Sequence, residues 1–259
     1  MTLLLDLGNT RLKVARSDAG GGLQLLGEAS HREHGMAGAL ARALGASAPG
    51  PGTAWCANVA GSAAGAALAA ALAETGGGEL SFLRAAAQDC GVRCAYAEPA
   101  RLGADRWAAL LGARGLTGGP CLVVDAGSAL TIDAMAAPGR HLGGWILPGL
   151  AMMVGALEAR TGDLAHFRRA SAMRVSDGFP TDTRSAMEEG ARLAALGAIA
   201  AAQAQLARHA GAPPRLLLAG GDAPALHAAL ENAELVPDLV LRGLARAAAG
   251  APTPNMNDS

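Results

Sequence analysis

The sequence predicts an α/β protein made of two similar halves. Three short apolar runs begin at Thr2, Cys121 and Leu216, and each ends in a glycine-bearing turn. Such runs are typical of buried strands in a covered sheet, whose turns lie at the carboxyl edge where α/β proteins bind ligands. The first two runs share the pattern Asp-x-Gly-Asn/Ser, with Asp125 following Asp6 by 119 residues. This weak repeat predicts that each half opens with a β-hairpin.

The first predicted half, residues 1–118, contains patterns of both strand and helix. Short apolar runs predict strands, and apolar residues three or four positions apart predict helices. Turn-rich linkers at 48–52 and 76–78 separate these segments. After the strand that begins at Thr2, the predicted strands are 12–17, 53–59 and 80–84, and the predicted helices are 36–46, 60–74 and 104–114.

The second predicted half, residues 119–250, repeats the opening hairpin. Its first strand begins at Cys121, a second follows at 129–135, and the run at Leu216 predicts another. Residues 182–210 predict one long helix, although Gly190 and Gly197 weaken its continuity. The last residues, 251–259, are expected to form a disordered tail.

Charge and hydropathy exclude several classes of protein. The formal net charge is -1 and the arginines are scattered, so nothing favours binding to nucleic acid or to an anionic membrane. Asp6 lies within the first apolar run, which argues against a signal peptide. The apolar stretch 191–210 contains two arginines and two glutamines, so it predicts an alanine-rich helix rather than a membrane span. We therefore expect a cytoplasmic protein that binds neither nucleic acid nor membrane.

The four cysteines are Cys56, Cys90, Cys94 and Cys121, and they form no Cys-x-x-Cys pair or familiar zinc spacing. We expect reduced, mostly buried thiols, because disulfides are rare in the cytoplasm. A metal site that uses Cys90 and Cys94 is the less favoured alternative.

The turn after the first strand carries groups that suit phosphate. Residues 6–13 read DLGNTRLK, in which Gly8, Asn9 and Thr10 offer backbone amides, a side-chain amide and a hydroxyl. Lys13 is the only lysine among 21 basic residues, and its compact ammonium could add a point charge to the same phosphates. The alternative is an ordinary hairpin turn followed by a surface lysine. Neither a P-loop nor a dinucleotide-binding glycine motif is present.

Asp6 and Asp125 follow the same pattern at the ends of two predicted strands. Two carboxylates that face one cleft are costly unless a cation or a reacting group lies between them. The pair therefore favours cation-assisted phosphate chemistry over a purely structural role.

The blocks DLGNTRLK, LGADRW, VVDAGSALTID, GGWILPG and LLLAGGDA occur in this order and span residues 6–223. These five blocks resemble those of the type III pantothenate kinase family, which includes the Bvg accessory factor type. This family belongs to the superfamily of actin, Hsp70 and the sugar kinases. The resemblance implies two duplicated ribonuclease-H-like halves that clasp ATP between them.

The resemblance also implies roles for the nucleotide-binding residues. Gly8, Asn9, Thr10 and Lys13 would hold the phosphates of ATP, and Asp6 would be a ligand of Mg²⁺. In the second half, Asp125 resembles the ligand of a monovalent cation, K⁺ or NH₄⁺. Ser128 stands where the family has a threonine that contacts ATP, and Gly220 and Gly221 resemble the motif on the adenosine side.

On the substrate side, Asp105 resembles the general base that takes a proton from the primary hydroxyl of pantothenate. Gly103, Ala104 and Arg106 share its motif, and Tyr96 and Thr183 match the wall of the pantothenate site. The alternatives are an acidic residue at a helix start for Asp105, core packing for Tyr96 and a helix cap for Thr183. One departure is Glu98, where the family has asparagine, because it places a negative charge near a negative substrate.

The leading hypothesis is an enzyme that phosphorylates pantothenate to 4′-phosphopantothenate at the start of coenzyme A synthesis. The resemblance also implies a homodimer, and apolar faces around Met152, Met153 and the helix from Asp182 could supply its interface, although the same faces suit an intramolecular core. Two alternatives stay open: a regulatory protein of the Bvg accessory factor type, and another small-molecule kinase or ATPase of the superfamily.

Overall fold

The computed structural model describes residues 1–18, 20, 22–47, 52–160 and 178–250. The chain divides into two compact units. The first comprises Met1–Gly118 together with the described residues from Asp238 onward, and the second comprises Gly119–Pro237. The halves predicted from the sequence are residues 1–118 and 119–250. The predicted tail 251–259 and most of the predicted linker 48–52 lie outside the described residues.

The described residues form twelve strands. These are β1 Thr2–Leu7, β2 Arg11–Ser17, β3 Leu23–Ser30, β4 Ala54–Asn58, β5 Leu80–Phe82, β6 Gln88–Asp89, β7 Val92–Arg93, β8 Cys121–Ala126, β9 Ala129–Ala136, β10 Arg140–Pro148, β11 Arg215–Ala219 and β12 Ala233–Leu235.

Seven α-helices accompany the strands in the described ranges. These are α1 His31–Leu44, α2 Ser62–Glu74, α3 Ala104–Leu116, α4 Leu150–Arg160, α5 Thr183–Ala210, α6 Ala223–His227 and α7 Leu239–Gly250. The long helix predicted over 182–210 is confirmed by α5, which is continuous through Gly190 and Gly197. The helix predicted over 36–46 begins earlier, at His31, and is interrupted by Gly35 with φ +67°.

The sheets of the two units have the same topology. In the first unit the strand order is β3-β2-β1-β4-β5, and in the second β10-β9-β8-β11-β12 form the equivalent series. Each series opens with three antiparallel strands, and the remaining strands run parallel to the first. The repeat predicted from Asp6 and Asp125 therefore corresponds to two equivalent strands, β1 and β8.

Two layers of helix cover the sheet of the first unit. The side chains of Leu3, Leu5 and Leu7 point into a core that includes residues of α1 and α2. Since side chains alternate along a strand, Asp6 lies on the opposite face. On that opposite face α7 packs against β1 and β4, and α3 packs against both β4 and α7.

The packing of α3 against α7 depends on glycine. A Cβ on Gly243 would lie 2.5 Å from the carbonyl carbon of Ala108, and one on Gly112 would lie 3.1 Å from the backbone nitrogen of Gly243. The two helices therefore approach closely through their backbones. This contact explains why α7, which the sequence analysis placed in the second half, belongs to the first compact unit.

Candidate active site

The predicted phosphate turn joins β1 to β2. Gly8 N–H donates to the carbonyl of Arg11 at 3.0 Å, which closes the hairpin around Asn9 and Thr10. Lys13 lies directly opposite Asp6 in the β1–β2 register, so the two side chains share one face with Cβ atoms about 5 Å apart. Asp6 and Lys13 thus lie side by side at the carboxyl end of β1, next to the turn.

Two residues that the sequence analysis did not single out contact this turn. His31 Nε2 bonds to the carbonyl of Gly8 and Arg32 Nε donates to the carbonyl of Asn9, both at 2.9 Å. A local signal did exist for the helix start, because Ser30 and Glu33 have the spacing of a capping box. Ser30 Oγ accepts from Glu33 N–H at 3.3 Å, which starts the helical turn that carries both residues.

Asp105 lies at the same edge of the first unit's sheet. β1 and β4 are parallel, and the N–H of Val59, just after β4, donates to the carbonyl of Leu7 at 3.0 Å. Gly103 lies beside Val59, since a Cβ on it would be 3.9 Å from Val59 Cγ1. The start of α3 therefore meets the carboxyl ends of β1 and β4, on the sheet face where α3 packs.

The local backbone fixes the Asp105 carboxylate. Asp105 is half-buried in the first turn of α3, where the helix dipole stabilises negative charge. Its Oδ1 accepts from the N–H of Arg106 at 2.7 Å. Gly103 leaves the space that the carboxylate needs, because a Cβ there would lie 2.7 Å from Oδ1.

Arg106 and Tyr96, which the resemblance assigns to the substrate wall, are hydrogen-bonded to each other. Arg106 is 6% exposed, and its Nη1 donates to the Tyr96 hydroxyl at 3.1 Å. A buried guanidinium beside a phenol suits a carboxylate ligand, because both groups donate hydrogen bonds to anionic oxygen. Ala104 precedes Asp105 at the first position of α3.

Glu98 does not add an uncompensated charge here. Its carboxylate accepts from Arg101 Nε at 2.8 Å, and 70% of the Glu98 side chain is exposed. The repulsion that Glu98 was expected to exert on a negatively charged substrate is therefore reduced, because its charge is paired with Arg101 and solvated.

In the second unit, the turns after β8 and β11 converge. The N–H of Asp222 donates to the carbonyl of Ala126 at 2.8 Å, and β11 pairs with β8 so that Ala219 lies opposite Asp125. Gly220 has φ +93°, and a Cβ on it would meet both the carbonyl of Ala126 and the Asp125 carboxylate. Only glycine fits there without rearrangement.

Ser128 lies at the exposed tip of the β8–β9 turn. Its carbonyl accepts from the N–H of Gly149 at 3.2 Å, which ties this turn to the start of α4. The structure therefore brings together the predicted residues of the second unit, namely Asp125, Ser128, Gly220 and Gly221.

Thr183 is exposed at the first position of α5. It is not the helix cap, because Asp182 holds that position and accepts from the N–H of Ser185 at 2.9 Å. Hydrogen bonds from the backbone and the side chain of Ser185 lower the pKa of the Asp182 carboxyl.

Several large apolar side chains of the second unit are exposed. Met152 is 54% exposed, whereas Met153 packs partly against the core. Other exposed apolar side chains near these helices and on β10 are Trp145, Ile146, Leu157 and Leu193.

The pKa values of three of the four cysteines are raised, which keeps these side chains as protonated, unreactive thiols. Burial raises the pKa of Cys121 to about 12, and burial with the neighbouring Asp89 raises that of Cys90 to about 11. Burial and the charge of Asp6 also raise the pKa of Cys56 well above its ordinary value. Within the described ranges, no three His, Cys, Asp or Glu side chains cluster as a metal site.

The second unit also contains a cavity of about 340 Å³ between the sheet and the second half of α5. Leu122, Trp145 and His209 are among its lining residues. It lies toward the amino end of β8, whereas Asp125 lies toward the carboxyl end, so it is separate from the turns described above.

Within the described part of the chain, none of the helices combines the length and hydropathy needed to cross a membrane.

Comparison with known proteins identifies close relatives. A family model for type III pantothenate kinase matches residues 2–205. A relative of that name from Azoarcus sp. (strain BH72) is 41% identical over 256 residues, covering 96% of this chain and 91% of the relative. Another, from Aromatoleum aromaticum, is 43% identical over 249 residues and covers 95% and 96% of the two chains.

Solved structures share the fold at lower identity. A protein described as a Baf family transcriptional activator from Campylobacter jejuni has a TM-score of 0.57 and 22% identity, covering 93% of this chain and 94% of that one. Component A of (R)-2-hydroxyglutaryl-CoA dehydratase from Acidaminococcus fermentans has a TM-score of 0.51 and 14% identity, covering 96% of both chains. These similarities show the fold alone, and together with the repeated sheets they confirm the predicted α/β fold of two duplicated halves.

Proposed function

We infer that this chain, which belongs to the type III pantothenate kinase family, phosphorylates pantothenate with ATP in the biosynthesis of coenzyme A. The observation that carries this conclusion is the similarity to enzymes of that name, at about 40% identity over nearly the whole chain. The transfer forms a bond between the primary hydroxyl oxygen of pantothenate and the γ-phosphorus of ATP. The bond to ADP breaks, and the hydroxyl proton leaves to a base.

We assign the phosphates of ATP to the β1–β2 turn. Gly8 allows close approach, Asn9 and Thr10 supply hydrogen-bond donors, and Lys13 supplies the positive charge. The position of Lys13 directly opposite Asp6 in the hairpin supports this role, because it puts the lysine side chain on the same face as Asp6 and next to the turn. When bound, Mg²⁺ would neutralise phosphate charge, and a single carboxylate such as Asp6 suits an ion that keeps phosphate and water as its other ligands.

We assign the base to Asp105. Its carboxylate is half-buried at the edge where β1 and β4 end, and its orientation is fixed by the N–H of Arg106. There it would orient the substrate hydroxyl for in-line attack and accept its proton. Since phosphoryl transfer depends mainly on positioning and charge neutralisation, a fixed carboxylate is sufficient for this step.

The carboxylate of pantothenate would bind at Arg106 and Tyr96, with Gly103 and Ala104 forming the adjacent backbone. The buried guanidinium supports this assignment, because a buried cation gains from an anionic partner. Thr183 would contribute a hydroxyl to substrate binding. If the enzyme is a homodimer, as we propose, the exposed apolar side chains around Met152 and Leu157 are candidates for its interface.

In the second unit, we propose that Asp125 binds K⁺ or NH₄⁺ and that Ser128 contacts ATP. Gly220 and Gly221 would approach the adenosine, since neither residue has a side chain to obstruct it. We also propose that the protein is located in the cytoplasm. No feature of the described structure favours the regulatory alternative.

The function is tested by measuring ADP release with pantothenate and Mg-ATP, in potassium buffer and in sodium buffer. We expect turnover that depends on both substrates and is faster in potassium. Asp105→Asn should lower kcat by at least about 100-fold, whereas Glu74→Gln, at an exposed position on α2, should not. Absence of turnover from the folded wild-type protein in both buffers would refute the kinase assignment.

A further inference from the structure

The phosphate turn is held from outside its own hairpin by two consecutive residues. His31 Nε2 lies 2.9 Å from the carbonyl oxygen of Gly8, and Arg32 Nε donates to the carbonyl of Asn9 at 2.9 Å. The backbone N–H of His31 donates to the carbonyl of Thr10 at 3.2 Å. Because a carbonyl only accepts, His31 Nε2 carries a proton and donates it. Three successive carbonyls of the turn are thus bonded to one dipeptide.

These bonds determine where the N–H groups of the turn point. The peptide bonds of the turn are trans, and in a planar trans peptide the C=O and the following N–H point in opposite directions. Since the carbonyls of Gly8 and Asn9 face His31 and Arg32, the N–H groups of Asn9 and Thr10 face the other side of the turn. Consecutive N–H groups on one side form a backbone concavity that binds anions.

The dipeptide itself is fixed at both ends. Ser30, the residue before it, belongs to β3 and pairs with Arg11 of β2. After it, Gly35 adopts φ +67° and separates residues 31–34 from the rest of α1 as a single helical turn. This short turn is therefore placed by the sheet and not by the packing of the longer helix.

We propose that His31 and Arg32 are positioning residues for ATP, which orient the amides of the phosphate turn without contacting the substrates themselves. The inference rests on the proposed function, because it assigns a task to residues that support the ATP-binding turn. Arg32 also places a second positive charge beside the turn, in addition to Lys13. Its exposed guanidinium adds little by charge alone, so its main contribution is the bond to Asn9.

Substitution of His31 tests this role. His31→Leu removes the donor and keeps an apolar side chain, whereas His31→Gln retains an N–H donor. His34→Leu is the matched control, because His34 lies in the same helical turn and its nearest charged partner is Glu33 at 4.0 Å. Each protein is assayed for the KM of ATP, the KM of pantothenate, direct binding of Mg-ATP and Tm.

We expect His31→Leu to raise the KM and Kd for ATP about tenfold, the effect of one lost hydrogen bond. The KM for pantothenate should change by no more than about twofold, because ground-state contacts with that substrate are unaltered. His31→Gln should recover most of the ATP affinity, and His34→Leu should resemble the wild type.

Equal ATP affinities for His31→Leu and His34→Leu would overturn the inference, as would an equal rise in KM for both substrates. If His31→Leu does not fold, Arg32→Leu at its exposed position decides the matter, and wild-type ATP affinity in that variant overturns it. Failure of the wild-type protein to bind ATP would instead remove the proposed function and this inference together. If the wild-type protein turns over normally and the variants bind ATP with wild-type affinity, only the positioning role is refuted.

Discussion

Gly103→Ala should impair catalysis with little effect on stability. A Cβ at this position would lie 2.7 Å from Asp105 Oδ1, whereas ordinary contacts begin near 3.4 Å. The carboxylate must therefore move by about 0.7 Å, and a displacement of about 1 Å in a reacting group can cost on the order of 100-fold in rate. We expect kcat to fall between about 10- and 100-fold.

The backbone itself tolerates alanine, because Gly103 has φ −55° and ψ 139°. Tm should therefore shift only slightly, since the loss of glycine at a helix N-cap is worth roughly 1 kcal/mol or less. Gly197→Ala on α5 is the control: nothing lies within 4 Å of its added Cβ, so kcat should be unchanged and stability should rise by about 1 kcal/mol. Wild-type kcat in Gly103→Ala would show that the position of this carboxylate does not limit the reaction.

Two further substitutions test the charges of the chain. Lys13→Arg should lower kcat/KM for ATP about tenfold at unchanged Tm, because a planar guanidinium cannot replace a compact ammonium opposite Asp6; near-normal turnover would exclude the phosphate role. Glu189→Ala should lower the free energy of unfolding by about 2 kcal/mol, since it removes the hydrogen-bonded partner of Arg192, which is 6% exposed. Hydrogen bonds from Arg192 lower the pKa of Glu189 below its ordinary 4.5, so this stabilisation is complete above that pH and is lost as the pH falls through the lowered value. Urea denaturation at pH 7 and at pH 3 measures it, and an equal difference between variant and wild type at both pH values would contradict the assignment.

The sequence predicts those strands, helices and turns that depend only on a short stretch of neighbouring residues. β1, β8 and β11 are short, mostly apolar runs, and a glycine follows each of them directly, so both their burial and their turns could be predicted from a few residues. The helix α5 was predictable because its apolar residues recur over 28 residues, which outweighs the cost of two glycines. In contrast, β10 contains Gly143 and Gly144 and ends in Pro148, residues that ordinarily indicate a turn.

The assignment of α7 illustrates a different obstacle. In chain order α7 follows β12, the last strand of the second unit, so the predicted half 119–250 included it by its position in the sequence. Its packing is set by Gly112 and Gly243, which are far apart in the sequence and allow the two helices to approach. Within either helix, a glycine predicts only a lower helix propensity, and it does not indicate which other helix will pack against it.

The residues of the candidate site also fall into two groups, those that the sequence predicts and those that only the structure reveals. Asp6, Lys13, Asp105 and Asp125 could be selected as candidates from the sequence, because they are charged side chains near the ends of strands or in the first turn of a helix. His31 and Arg32 act on main-chain carbonyls, which every residue possesses, so no side-chain pattern in the turn specifies its supporting partners. The capping box at Ser30 could have placed the helical turn, but only the β2–β3 register brings that turn to the hairpin that we propose binds phosphate. Residues that orient backbone amides are therefore the part of such a site that requires the structure, even when the residues that bind the ligand do not.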